Sequence, residues 1–269
     1  LGLPRENIVG ITMPGFGTTG RTYNNSLNMM KSLGVTIKEV DIKPACLQHL
    51  KDIDHDLSIL DVSYENTQAR ERTQILMDYA NKIGGLVVGT GDLSELVLGW
   101  ATYNGDHMSM YAVNTSIPKT LVRYMVKYAA LYEMDEAAKE TLLDVCDTPV
   151  SPELLPADDK GEISQKTEDL VGPYELHDFF IYYNLRFGFS PTKIFFMAQK
   201  AFDGQYDKAT ILKWMRTFYW RFFAQQFKRS CMPDGPKVGS VSLSPRGDLR
   251  MPSDACSKIW IEEVEKLAN

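Results

Sequence analysis

Apolar and polar positions change period along the chain, from strand-like in the first third to helix-like beyond it. Ile8–Met13 (IVGITM) is a short β-rich run closed by Pro14-Gly15, which reads as a strand and a turn. Val35–Ile42 (VTIKEVDI) alternates apolar and polar residues, the period of a second strand, and Leu86–Gly89 (LVVG) reads as a third, fully buried one. Between them, Asn24–Leu33 predicts a helix stopped by Gly34. Tyr64–Ile83 predicts a longer helix with Ala69, Leu76, Tyr79, Ala80 and Ile83 on one side, stopped by Gly84-Gly85. Strand, helix, strand, helix, strand predicts three parallel strands in one sheet joined by right-handed crossovers. Ligands of such sheets bind outside the carboxyl ends of the strands. Those ends carry TMPGFGTTGRT, the segment near Asp41, and GTGDLSE.

The second half predicts helices. Ser116-Ile117-Pro118 opens one that runs to about Glu133, and Ser190-Pro191 opens another with proline in its first turn. Asp207 to about Lys228 is a long helix with Ile211, Trp214, Phe218, Phe222 and Phe227 at near-helical spacing, a stripe that belongs to a core or a subunit interface. Asp147–Tyr174, rich in proline and acidic residues, reads as a long loop. No internal repeat appears, and no second folded domain is expected.

Composition narrows the class. The 269 residues are 44% hydrophobic and 24% charged, enough for one large α/β domain with a substantial core. The sequence opens at Leu1 without an initiator methionine or signal-peptide architecture, and so reads as part of a longer chain. No apolar run approaches the ~20 residues of a membrane span. Cys46, Cys146, Cys231 and Cys256 are scattered without a C-x-x-C pair, which argues against a zinc site or a disulfide framework and suits a reducing cytoplasm. A net charge of -6 disfavours a nucleic-acid partner. Against that acidity, Lys228, Arg229, Lys237, Arg246, Arg250 and Lys258 outnumber Asp234, Asp248 and Asp254 in one Gly-, Pro- and Ser-rich segment. It reads either as a solvated tail or as an ordered loop whose cations serve a small anionic ligand.

Two residues point to chemistry. After Gly91, the residues Leu93, Leu96, Val97 and Trp100 recur at helical spacing, and Asp92 and Glu95 stand three apart, as the N-cap and third residue of a capping box do. Capping alone explains Glu95. A carboxylate there also faces the strand ends, where Mg2+ on phosphates takes one or two carboxylates. Lys119 falls in the first turn of its helix, where the macrodipole disfavours a cation unless an anion lies between it and the free backbone amides.

At these residues the chain resembles a known family. GTGDLSELVLGWATYNGDHMS followed by VNTSIPKTLVRYM closely resembles the synthetase domain of the glutamine-dependent NAD synthetases. ENTQARERTQILMDYAN, QKTEDLVGPYELHDF and KRSCMPDGPKVGSVSLSPRGDLRMPSDA match the same family in order, over nearly the whole chain. Other amide-forming ATP pyrophosphatases share the fold but not the QARERT and VGSVSLSPRGD segments. The resemblance implies an α/β fold of the adenine-nucleotide α-hydrolase (ATP pyrophosphatase) type, a parallel sheet with flanking helices and a helical C-terminal half. It implies a carbon-nitrogen ligase that adenylates the carboxylate of nicotinate adenine dinucleotide with Mg-ATP and releases pyrophosphate. Ammonia from a glutaminase domain of the same full-length chain then displaces AMP to give NAD. On this resemblance Thr12, Thr18, Thr90, Lys119 and Ser151 contact ATP, with Lys119 on its phosphates, and Glu95 holds Mg2+. Asn66, Arg70, Glu168 and Lys228 meet the dinucleotide, and Asp106 binds ammonium and takes its proton. His107 and His177 match no role and read as structural.

The sequence departs from the family at Thr12, where its ammonia-dependent members carry an arginine, and more seriously in one loop. No SGGxDS phosphate loop occurs in it; GFGTTG at Gly15–Gly20 and the glycine pair at 84–85 are its Gly-rich stretches. The resemblance therefore implies that the chain starts at the family's second strand and that the glutaminase domain lies outside it, so that this piece alone is inactive. A noncatalytic module that dimerises and holds a dinucleotide is the alternative. The family's homodimer places Tyr64–Ile83 and the Trp100–Tyr111 region at a two-fold interface.

Overall fold

The computed structural model describes residues 2–151, 154–156 and 167–268. In chain order its regular elements begin with β1 (Val9–Thr12), α1 (Gly20–Leu33), β2 (Thr36–Glu39), α2 (Lys43–Asp52), α3 (Val62–Ile83), β3 (Val88–Gly89) and α4 (Leu93–Leu98). β4 (Tyr111–Ala112), α5 (Lys119–Tyr132), α6 (Glu136–Asp147), α7 (Thr167–Val171) and α8 (Tyr174–Ile181) follow. α9 (Pro191–Ala201), α10 (Lys208–Ala224), α11 (Gln226–Arg229) and α12 (Lys258–Lys266) complete the series. Two compact units result: Leu1–Gly85 with Asn104–Asp106 and Arg123–Thr167, and Leu86–Tyr103 with His107–Val122 and Glu168–Asn269.

In the first unit β1 and β2 pair in parallel, Val9 opposite Thr36 and Thr12 opposite Glu39. The connecting helix starts earlier than its periodicity predicts, because the Thr19 hydroxyl accepts the Thr22 amide and caps it, and it ends as predicted on a left-handed Gly34. α1 packs on α6, where the Asp144 carboxylate receives Arg21 Nε at 2.9 Å and Asn25 Nδ2 at 2.6 Å. Asp61 caps α3 through the amides of Ser63 and Tyr64, and Gly84 ends it. Ala69 and Ala80 are buried on the predicted side, but Ile83 at its end is exposed.

The expectation of three strands in one sheet is corrected. β3 pairs in parallel with β4, a strand the pattern did not reveal, and forms a separate two-stranded sheet. Nor is Leu86–Gly89 a fully buried strand: Val87 is buried, whereas Leu86 and Val88 are 62% and 54% exposed. Period-2 geometry sends alternate side chains to opposite faces, and an all-apolar run does not disclose that one face lacks a cover among the described residues.

The second unit holds a helical core. Ile211, Trp214, Phe218 and Phe222 of α10 are buried as their spacing predicts, together with Phe180 of α8 and Ile194 of α9, while Phe227 lies beyond α10 and is 42% exposed. The stripe is core.

The basic segment after α11 has no helix or strand between residues 230 and 257. It is nonetheless tied down. Lys237 pairs with Asp248 at 2.6 Å, Arg246 with Asp234 at 2.5 Å, and the Ser116 hydroxyl donates to Pro236 O and accepts the Val238 amide. Lys237 and Arg246 are thus matched by the segment's own aspartates, which decides for order over a solvated tail. Within the loop predicted over Asp147–Tyr174, residues 152–153 and 157–166 lie outside the described residues, and α7 and the start of α8 occupy its end.

Candidate functional site

The site in the second unit is built on α4. Its N-terminus is a complete capping box: the Asp92 carboxylate accepts the Glu95 amide at 3.0 Å, and Glu95 Oε2 accepts the Asp92 amide at 3.1 Å. Its C-terminus is held by two arginines. Arg229, 1% exposed, donates from Nη1 to the Leu96 and Val97 carbonyls, and Arg221 Nε donates to Leu98 O at 2.8 Å. Six residues are too few for a self-sustaining helix, so these end contacts and the burial of Leu93, Leu96, Val97 and Leu98 fix it. Burial pushes the Arg229 guanidinium down to about 10, where it stays charged against the negative end of the helix.

Lys119 meets its anions inside the protein. Its Nζ lies 2.6 Å from Glu95 Oε1 and 2.7 Å from Asp92 Oδ2, and 5.5 Å from the centre of the Tyr174 ring. The Lys119 and Thr120 amides at the start of α5 are occupied as well. The Lys119 amide donates to Ser94 Oγ at 2.8 Å, and the Thr120 amide to Asp178 Oδ2 at 3.0 Å. The macrodipole argument correctly required an anion beside Lys119; the folded chain supplies it as carboxylates.

The charges here do not balance. Burial first, and then the like charge of Glu95, push the Asp92 carboxyl up against the pull of Lys119. Burial alone would push the Lys119 ammonium down, but Glu95 and Asp92 hold it above its usual value. Both directions favour the protonated form of the group concerned. Lys119 is charged, with two carboxylate oxygens within 2.7 Å of it, and the upward push on Asp92 is first the cost of burying its charge and then of the Glu95 charge that faces the same cation. The hard oxygens of Asp92 and Glu95 are of the kind that Mg2+ takes, one or two protein carboxylates with water and phosphate oxygens completing its shell; no group of three or more metal-ligating side chains occurs among the described residues.

The remaining candidates divide between the units. In the second, Thr90 is exposed at the end of β3 and its carbonyl accepts Asn114 Nδ2, while Glu168 Oε1 accepts the Tyr174 amide at 3.0 Å. Lys228 Nζ donates to the Gly99 and Ala101 carbonyls at 2.8 and 2.6 Å, so its charge also braces the chain just after α4. In the first unit, Thr12 Oγ1 lies 3.2 Å from Ser26 Oγ at the end of β1, and Thr18 Oγ1 accepts the Gly15 amide at 3.0 Å. Asn66 and Arg70 stand one turn apart on α3, Arg70 exposed and Asn66 half-buried; Asp106 is exposed, and Ser151 is half-buried. His107 and His177 are buried on backbone carbonyls, those of Thr102 and Val171, as structural histidines are.

Sequence reasoning missed three residues that arrange these groups. Gln68 is fully buried; its Oε1 accepts the Phe16 amide and its Nε2 donates to Leu154 O, which fixes the PGFG loop after β1. A side chain at Gly15 would meet Gln68 Oε1 at 2.6 Å, which explains the glycine. Arg72 Nε donates to Met13 O of the same loop at 3.2 Å. Asp178, the third, lies 84 residues from the serine it binds, and no local pattern in the sequence links the two.

The parallel pairs β1–β2 and β3–β4, with their flanking helices, make this an α/β fold of the adenine-nucleotide α-hydrolase type. A glutamine-dependent NAD(+) synthetase from Cytophaga hutchinsonii superimposes with a TM-score of 0.75 at 18% identity, over 96% of this chain and 40% of that one. NMN synthetase from Francisella tularensis gives a TM-score of 0.60 at 20% identity, over 82% and 75% of the two chains. The NAD synthase family model matches residues 2–137, and the chain belongs to that family. It is 42% identical to the glutamine-dependent NAD(+) synthetase of Mycobacterium leprae over 98% of its length, and 30% identical to that of Thermotoga maritima over 93%. It spans about 42% and 40% of those two relatives, respectively.

Proposed function

We propose that this chain is the synthetase portion of a glutamine-dependent NAD synthetase, and that Glu95 and Lys119 work on the Mg-ATP phosphates. The observation that carries the reading is Lys119 Nζ held between Glu95 and Asp92 at the N-termini of α4 and α5, just past the carboxyl end of β3. In the reaction, a carboxylate oxygen of nicotinate adenine dinucleotide attacks the α-phosphorus of ATP, and the bond to pyrophosphate breaks. Ammonia then attacks the acyl carbon, the bond to AMP breaks, and the amide of NAD forms. Lys119 offsets the charge that grows on the departing pyrophosphate. Glu95, with Asp92 beside it, would hold Mg2+, which neutralises the phosphate oxygens when bound. Asp106 receives the proton that ammonium must lose before it attacks. Thr12, Thr18, Thr90 and Ser151 serve ATP, and Asn66, Arg70, Glu168 and Lys228 serve the dinucleotide. Ammonia comes from a glutaminase domain of the full-length protein, which acts as a homodimer in the cytoplasm.

Glu95→Gln in the full-length protein tests the reading. The glutamine keeps most of the capping geometry, so the helix loses only about 0.5–1 kcal/mol. Turnover should fall by about a hundredfold or more, because a hard anionic ligand is gone, and should recover in part as Mg2+ is raised. Near-parental turnover at limiting Mg2+ returns Glu95 to a purely capping role. For the dimer, light scattering at micromolar concentration should give twice the protomer mass; a monodisperse monomer refutes that part.

A further inference from the structure

The cluster around Lys119 does not hold itself. The Asp178 carboxylate, on the α8 turn that follows Tyr174, accepts three hydrogen bonds from two other helices. Its Oδ1 takes the Ser94 hydroxyl of α4 in a short hydrogen bond. Its Oδ2 takes the Thr120 amide at 3.0 Å and the Thr120 hydroxyl at 2.6 Å, both on the first turn of α5. Ser94 closes the ring, since its Oγ in turn accepts the Lys119 amide at 2.8 Å. One carboxylate therefore joins the residue before Glu95 to the residue after Lys119, and fixes both backbones against a third helix.

We propose that Asp178 is a positioning residue for the Lys119–Glu95 pair. The inference rests on the functional reading above and names a residue which that reading does not use. Among the described residues no hydrogen bond or ion pair joins Asp178 to Lys119 Nζ or to Glu95; it acts on them through Ser94 and Thr120. A carboxylate suits this place because it only accepts, and all three groups aimed at it donate. An asparagine keeps one acceptor oxygen and turns an N–H toward either Ser94 or Thr120. One of the two helices is then released. Because α5 is also anchored here by its own Lys119 amide through Ser94, that release moves the lysine backbone relative to Glu95 as well as the cap. A carboxylate at a helix N-terminus is also stabilised by the macrodipole, so the negative charge lost in asparagine weakens the anchor further.

The test is a double-mutant cycle in the full-length protein, with kcat and KM for Mg-ATP measured per folded molecule for the parent, Asp178→Asn, Lys119→Met and the double variant. Asp178→Asn should lower kcat about 10- to 100-fold, the range expected when a reacting group is displaced by about an ångström. In the double variant it should add less than about twofold to the loss from Lys119→Met, because the two act through one group. A kcat for Asp178→Asn within twofold of the parent overturns the proposal, as does a loss that simply multiplies with that of Lys119→Met. A purely structural role reduces the folded fraction and leaves both constants of the folded molecules unchanged. If Lys119→Met itself turns over normally, the functional reading fails first and takes this inference with it. Should Asp178→Asn not fold, Ser94→Ala and Thr120→Ala each delete one hydroxyl contact to Asp178. Each should then lower kcat about 3- to 10-fold, as expected for one lost hydrogen bond of about 0.7–1.4 kcal/mol. Parental rates in both refute the proposal.

Discussion

Replacing Lys119 by methionine keeps a long apolar stem beside Tyr174 and removes only the ammonium. That leaves Asp92, 2% exposed, and Glu95, about a quarter exposed, facing each other without a cation. At 2.6 and 2.7 Å each contact is worth about 6 kcal/mol of Coulomb attraction at an effective dielectric of about 20, before desolvation is subtracted. Breaking a buried pair by removing one partner costs about 3–5 kcal/mol. The partial exposure of Lys119 and Glu95 screens part of this, and about 2–4 kcal/mol remains. For a chain of this size that lowers Tm by roughly 5–12 °C.

The deficit should depend on pH, with a definite sign. Without Lys119, only the Glu95 amide still opposes the upward push of burial and of the Glu95 charge on the Asp92 carboxyl, so its folded pKa lies further above its unfolded value of about 3.9. A carboxyl raised in this way destabilises the fold fully above its folded pKa, and the penalty vanishes as pH falls below the unfolded value. Calorimetry from pH 8 to pH 4.5 should therefore show the gap between parent and variant narrowing as acid is added. A constant gap, or none at pH 8, refutes the assignment of Lys119 as the charge that satisfies Asp92 and Glu95.

The remaining predictions concern other groups. His177 is wholly buried, its Nε2 donates to Val171 O at 2.6 Å, and burial pushes it down to about 4. It is neutral in the fold, so the contribution is complete above its unfolded value of about 6.5 and is lost as pH falls toward 4, at about 3 kcal/mol in all. His177→Asn should flatten that acid limb of the stability curve, as read by denaturant unfolding; an unchanged slope contradicts the neutral, buried histidine. The fall in turnover of Glu95→Gln with its partial recovery at raised Mg2+, the lowered kcat of Asp178→Asn with its coupling to Lys119→Met, and the mass of the dimer complete the set.

Local chemistry determined much of this protein. The capping box at Asp92 and Glu95, the glycine stop at Gly34 and the aromatic face of α10 all follow from interactions within about a turn of each residue, and all three are present. The same locality required an anion at the first turn of α5. Only the tertiary structure decided which anion answers: Asp92, Glu95 and Asp178 reach Lys119 and Thr120 from two other helices, across 24 to 58 residues of chain. It decided likewise that β3 pairs with Tyr111–Ala112 and leaves Leu86 and Val88 exposed, since an apolar run specifies a strand but not its partner. Burial of Arg229 under the carbonyls of α4 was equally hidden, because an arginine in a basic segment reads as solvated until the helix end it completes is folded against it. Periodicity and caps are short-range and are written in the sequence. Counter-charges and strand partners are settled by which surfaces meet, and those meetings exist only in the folded chain.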